Sequence, residues 1–538
     1  MTRELFETCL LLSKRLDKKY NKQTIAAKMT DVPGHTRSII DPMYDAGIRL
    51  LHVGINSACP LPSVPTFCRW RSPSGNDLLL VYQKDYGEDE VLPDGKTVVS
   101  INFTGDNHGP HSYERVKKIY ADLRKRYPQA QLVGASFNDV ARELLLIKKD
   151  LPVVTSEIGD TWIFGYGGAP IRMAKFRAVS WLYSQWLNEG KIKKDSDVAL
   201  DFAAELGLIA EHTQGVDVKT HLRQWDKYDM DKFLKGRSEG VFSMAEASWK
   251  EIDNYIDSAI AFLPASLQKE AREVVAEVDK VKLEDNSKMK PMARKRWEQP
   301  IAGGMILAGL SYQMFDGDDY DDFQNRYLRA RYEWALDDLG KRGLKESHAV
   351  SVTLYAQTMA QSVRKEKKGT RIITELRFPE NEKVDKRVYP ERIQVNCFTT
   401  KNGKRSEVAL TVYGKPTVRL PESYWLSFTV PGIESVIAEK MGERVDLMDV
   451  VEKGNRQMHG IDRYVDLITS GETIRISSKE AFLLNVGEAQ GLNYSTNYPD
   501  KHKGVHFNLN NNLWGTNFSM WNEGSLTYHF VIETLNHK

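Results

Sequence analysis

Four short stretches of the sequence gather side chains able to do acid, base or metal chemistry. Asp31 and His35 stand four apart in TDVPGHT, directly after the run IAAKM. A carboxylate there can ligate a metal, act as a nucleophile, or cap the helix that starts near Thr36, because Asp is favoured near helix starts. His35 reads either as a group supporting a neighbouring ligand or as an ordinary surface imidazole. The second stretch is Gly105-Asp106-Asn107-His108-Gly109. Its glycines permit close approach of a ligand to the backbone, and they also simply make turns. Two carboxylates on neighbouring strand ends are the minimum for glycoside cleavage, one attacking or activating and the other protonating the leaving oxygen. Asp31 and Asp106 fit such a pair. Third, Glu157-Ile158-Gly159-Asp160-Thr161-Trp162 joins two acids to an aromatic plane suited to a sugar face, with an acidic turn around a buried Trp as the plain alternative. Fourth, His212 in AEHTQGVD lies in a helical region, where a lone His is more often a solvated or core residue than a ligand.

Side chains of this kind act where loops converge at the carboxyl ends of parallel strands. The sequence predicts a helix from Glu4 to Lys19, a short buried strand in IAAKMTD, a breaker at Val32-Pro33-Gly34, a helical pattern from Thr36 to Ala46 and a strand from Leu50 to Gly54. This β-loop-α-β order is the unit of a parallel sheet. Further strands are expected at Asp77 to Tyr82, at Val98 to Phe103 and near Leu132, with a helix from Ser112 to Arg126 and a short one after Asn138. Asp31 and Asp106 would then stand at equivalent sheet edges. Residues 1–165 thus read as a (β/α) barrel-like parallel-sheet domain.

Residues 166–280 have almost wholly helical periodicity and read as a bundle. The stretch 281–300, containing VKLEDNSKMKPMARK, has charge without an apolar face and reads as a linker. Residues 301–538 alternate in period two, as in RIITELRFP and ERIQVNCFTT, between Gly, Asn and Pro turns, which predicts a C-terminal β-sandwich. The expected class is a multidomain α/β, α and β protein. At 538 residues more than one core is required, because single cores stop growing at about 250 to 300 residues.

Composition excludes some functions. The 75 basic side chains nearly cancel 73 acidic ones, so the net charge of +2 gives no electrostatic case for nucleic acid or an anionic membrane. Cys9, Cys59, Cys68 and Cys397 form no CxxC pair, so neither a disulfide framework nor a thiolate zinc site is indicated. No run reaches the roughly 18 apolar residues of a membrane span, and the opening segment lacks a cleavage-like site.

The order of motifs adds a resemblance. The segment from Thr30 to Gly47, with DVPGHTRSIIDPMYDAG, resembles the strand-end motif of glycoside hydrolase family 38, the class II α-mannosidases. FCRWRSPSGNDLLLVY resembles that family's Trp-Arg-x-Pro-x-Gly strand pair, EIGDTWIFGYGGAPIRMAKFRA its Gly-Asp loop leading into the helices, and AEHTQG its metal-binding helix. NNLWGTNFSMW resembles the closing motif of a distant bacterial branch carrying a domain-of-unknown-function label. The resemblance implies a zinc-dependent retaining exoglycosidase, with Asp31 as nucleophile and zinc ligand and His212 as the late ligand. Asp106 would be the acid/base, and His35, Trp70, Asn107, His108, Asp160 and Trp162 would contact a carbohydrate substrate. Two departures stand out. The family's Gly-Asp-Asp is Gly105-Asp106-Asn107 here, and no His-x-Asp strand precedes Asp31, so by resemblance the chain starts inside the catalytic domain. A non-catalytic carbohydrate-binding or structural relative with an incomplete metal site, and another hydrolase on a similar barrel, are the competing readings. The default location is cytoplasmic, with a secreted or periplasmic one open if an N-terminal segment is missing, and a homo-oligomer stays open.

Overall fold

The computed structural model describes residues 1–105, 108–222, 226–515 and 517–535, and the chain divides into two compact units. One comprises Leu10–Ile158 with Val451–Gly454; the other comprises Met1–Cys9, Gly159–Val450 and Asn455–Lys538.

In the first unit, strands β1 (Ala26–Asp31) and β2 (Leu50–Ile55) pair in parallel through a 3-10 turn at Arg37–Ile39 and the short helix Ile40–Asp45. The expected β-loop-α-β unit is therefore present. Strands β3 (Phe67–Arg71) and β4 (Asp77–Gln83) follow, and the sheet is completed by the two-residue strand Val153–Val154 beside β3, giving the order β1, β2, β4, β3, Val153–Val154. β4 runs parallel to β2, with His52 opposite Val81 and Gly54 opposite Gln83. β3 runs antiparallel to β4. The turn 72–76 between them is far too short for the crossover that parallel neighbours need. The observed sheet is thus mixed where the sequence reading expected an all-parallel one. Leu50, Phe67, Leu79 and Val81 form its core with Ala141 and Leu144 of the helix Phe137–Leu146.

Three local expectations change. β1 is half-buried along its length, as befits the end strand of the sheet order, and not fully buried. Among the described residues Val98–Ser100 does not join the main sheet: it pairs there only with Asp89–Val91 in a separate antiparallel ribbon, so the loop after it does not leave the same sheet edge as Asp31. Near Leu132 there is no strand; residues 131–136 are irregular, and Val133 is exposed with no ladder to join.

The second unit opens its main run with the helix Pro170–Asn188, whose Pro stands at the start of the helix, where a missing N–H costs nothing. Its Phe176, Val179, Tyr183 and Trp186 pack with Phe202 and Leu206 of Asp197–Gly207 and with Ile256 and Ile260 of Ser243–Ala261. Beyond these helices lie a seven-stranded and a ten-stranded sheet, in which all recorded pairings are antiparallel. The ring of Phe530 on the larger sheet meets Phe428 and Phe507 of the smaller at 5.4 and 5.1 Å. The stretch 281–300 is tied into both: Lys290–Pro291 pairs with Gln357–Lys365, Gln299–Pro300 pairs with Ile306–Met314, and Trp297 is buried. A charge-rich sequence without an apolar face can still be held by backbone pairing, which composition does not reveal.

Candidate active site at a parallel strand end

Asp31 ends β1 with φ +84°, a conformation that residues other than Gly rarely adopt. Strain of this kind costs of order 1 to 3 kcal/mol and persists where surrounding bonds over-determine it. Those bonds are present. The Asp31 carbonyl accepts from Asn56 N at 2.8 Å, and its Oδ1 accepts from Asn56 Nδ2 at 2.9 Å and from the Tyr86 hydroxyl. Asn56 follows β2 directly, and its own Oδ1 accepts from Ala58 N at 3.0 Å, which fixes the amide. Two donors on one oxygen hold the carboxylate in one orientation. The turn after β1 is capped by another residue: Thr36 Oγ1 accepts from Ser38 N at 3.4 Å. Capping therefore does not account for Asp31.

Tyr86 reaches Asp31 because β2 carries a glycine beneath it. A Cβ on Gly54 would lie 2.8 Å from Tyr86 Cα and 2.9 Å from the Asp85 carbonyl, so only glycine lets this segment cross the sheet face. On the same face Lys28, register partner of His52, donates to His52 Nδ1 at 3.0 Å and to the Tyr86 carbonyl at 2.9 Å. An ammonium only donates, so Nδ1 is the acceptor and the ring hydrogen sits on Nε2, facing Gln83 Oε1 at 2.8 Å. Burial pulls the His52 imidazolium down to about 4, with Lys28 adding to the effect and the Gln83 bond opposing it. Burial alone pulls Lys28 down to about 8.

Of the other expected residues, His35 belongs to the same unit. Its backbone pairs with Ile158 at 2.7 and 3.1 Å, its Nε2 is buried without a hydrogen bond, and burial holds it down to about 4. Glu157 accepts from Thr36 Oγ1 at 3.0 Å and Arg37 N at 2.7 Å, so it organises the turn after Asp31. Trp70 is fully buried and donates to the Ser156 carbonyl at 2.9 Å, leaving no ring face to a ligand. His108 is exposed on its loop. Asp106 and Asn107 lie outside the described residues.

Asp160, Trp162 and His212 belong to the second unit and come together there. The Asp160 carboxyl accepts from the Tyr327 hydroxyl at 3.0 Å and from Trp162 N at 3.1 Å, and burial pushes it up to about 7. The Trp162 ring lies 6.0 Å from His212 and 5.8 Å from Trp514. His212 Nδ1 is paired with Glu211.

Sequence reasoning gave no role to Asn56, Tyr86, Lys28 or His52. The strand-end rule that singled out Asp31 points equally to Asn56, one residue past the apolar run LLHVGI. Tyr86 has no such signal, since its place depends on a loop folding back over Gly54.

The zinc ion implied by resemblance asks for three protein ligands in a catalytic site. Among the described residues no group of three or more His, Cys, Asp or Glu side chains is gathered to hold a metal. Asp31 Oδ1 already takes two donors, and His212 Nδ1 is occupied by Glu211. The described residues do not fit the ion.

Residues 167–301 match the model of a family described as a domain of unknown function, DUF5054. No curated protein matches the chain. Among solved structures it is similar to an alpha-mannosidase from Enterococcus faecalis V583, at 10% identity over 100% of this chain and 77% of that one, with a TM-score of 0.55. A protein in the Glycosyl Hydrolase Family 38 from Enterococcus faecalis is also similar, at 10% identity over 100% of this chain and 75% of that one, with a TM-score of 0.45. The expected likeness to an α-mannosidase holds at the level of fold, and so does the expected domain-of-unknown-function label.

Proposed function

We propose that the chain is a glycoside hydrolase of the α-mannosidase type, a retaining exoglycosidase whose nucleophile is Asp31. The observation that carries this reading is the strained carboxylate at the end of β1, with one oxygen fixed by Asn56 and Tyr86. The fold likeness to an α-mannosidase supports it. A nucleophile needs a fixed line of approach, and two hydrogen bonds on Oδ1 restrict the carboxylate's rotation. In a retaining reaction the carboxylate attacks the anomeric carbon as the leaving oxygen takes a proton, and water then hydrolyses the glycosyl ester. Asp106 is the proton donor that resemblance implies. Zinc remains part of the proposal only as an additive to be tested, and no step is routed through it.

The test is release of p-nitrophenol from p-nitrophenyl α-mannoside by the purified chain, with and without added zinc. Turnover by the parent and its loss in Asp31→Asn, with folding intact, is the expected result. An Asp31→Asn variant as active as the parent removes Asp31 from the role. A second reading, carbohydrate binding without cleavage, draws on the want of a three-donor group among the described residues. Retention of the chain on a mannose-bearing resin without p-nitrophenol release would favour it.

A further inference from the structure

Lys28 is a half-buried cation held in one place. His52 Nδ1 and the Tyr86 carbonyl take two of its hydrogens at 3.0 and 2.9 Å, and the rings of Phe103 and Phe137 lie 5.5 and 5.8 Å from its Nζ. His52 is itself anchored by Gln83, so the lysine is backed by a rigid chain running across β2 and β4. No carboxylate pairs with it among the described residues, and beyond His52 Nδ1 and the Tyr86 carbonyl its neighbours there are the two aromatic rings. The residue linking it to Asp31 is Tyr86, whose carbonyl holds the ammonium and whose hydroxyl holds the carboxylate. A cation inside β1 and an anion at its end are thus tied to opposite ends of one tyrosine.

We propose that Lys28 is the substrate-positioning cation of this site, its ammonium binding hydroxyl oxygens of the sugar that Asp31 attacks, so that the site needs no metal ion for that task. The proposal rests on the glycosidase reading above and names the group that orients the sugar. Lys28 acts on binding, since it donates to substrate oxygen and moves no proton in the reaction. A hydrogen bond from a charged donor contributes about 1.5 to 3 kcal/mol, which corresponds to roughly ten- to a hundredfold in binding. The charged and titratable groups facing Lys28 are His52 and Tyr86, and with His52 held neutral its charge is not opposed.

The experiment uses the full chain after dialysis against EDTA. Its turnover of p-nitrophenyl α-mannoside should persist, Lys28→Met should raise KM about tenfold or more with little change in kcat, and Lys28→Arg should recover part of the loss. A purely structural lysine would lower kcat or the folded fraction without this split. Independently of turnover, labelling of the parent with fluorodinitrobenzene, read by mass spectrometry, should show methyl α-mannoside protecting Lys28 and not the exposed Lys18. An unchanged KM in Lys28→Met, or turnover that returns only when zinc is added, overturns the proposal and leaves the glycosidase reading standing. Protection of Lys28 without turnover keeps Lys28 as a sugar contact and removes the glycosidase reading. Neither turnover nor protection removes both.

Discussion

Asn56 Nδ2 donates to Asp31 Oδ1 across 2.9 Å, while Asn56 N donates to the Asp31 carbonyl at 2.8 Å, so one residue past β2 holds both the side chain and the strained backbone of the last residue of β1. The two bonds set an expectation for Asp31→Asn. Asn tolerates positive φ better than most residues, so the variant should fold with a melting temperature within a few degrees of the parent. Its amide is no nucleophile, and turnover should fall by roughly three orders of magnitude or more. Thermal melts alongside p-nitrophenyl α-mannoside assays check both halves, and a folded variant with more than a tenth of the parent's activity would refute the role.

Gly54→Ala tests the platform under Tyr86. The added Cβ meets backbone atoms at 2.8 and 2.9 Å, and backbone cannot turn aside as a flexible side chain would. Overpacking of this kind costs about 1 to 3 kcal/mol. Urea unfolding should show that loss, and turnover should drop as Tyr86 is lifted away from Asp31. A variant with the parent's stability and activity would mean that the loop approaches less closely than 2.8 Å implies.

How much of this was legible in the sequence follows from the range of the interactions. The β1-turn-helix-β2 unit and the position of Asp31 are local features, carried by apolar runs and a Pro-Gly breaker, and they read correctly. The pairing of Val98–Ser100 with Asp89–Val91 did not, because a stretch as short as Val-Val-Ser fits a ribbon as well as a main sheet. Trp70 looks like a sugar platform as a residue type, yet a strand position facing the core buries it whatever its chemistry. Lys28 sits inside an apolar run, where composition alone marks it as an interruption; only the register that sets it opposite His52 gives it a role.

His35 and His52 predict the acid limb of stability in the first unit. Both are held to about 4 by burial, below the ordinary 6.5. Their folded-state values are depressed, so the stability tied to their neutral forms is fully present above about pH 6.5 and is lost as pH falls through about 4. Each contributes roughly 3 kcal/mol at most. Hydrogen exchange of the β1 and β2 amides, compared at pH 7 and pH 4.5, should show lower protection at the acid value, and His52→Gln should narrow the difference. Equal protection at both pH values in the parent would show that these imidazoles are not buried as described.

Asp160 gives the opposite dependence in the second unit. Burial raises its carboxyl to about 7 against the Tyr327 and Trp162 bonds that favour the ion. A raised acid contributes stability that is fully present below about 3.8 and is lost as pH climbs through about 7, amounting to roughly 4 kcal/mol at most. Asn keeps the shape and an acceptor oxygen for the Tyr327 hydroxyl and carries no charge. Asp160→Asn should therefore melt higher than the parent at pH 8 and close to it at pH 4, and the gap should open between those values. If the gap were constant with pH, the carboxylate would be solvated and not buried; a lower melting temperature at pH 8 would show that the ionised form is the one the site is built to hold.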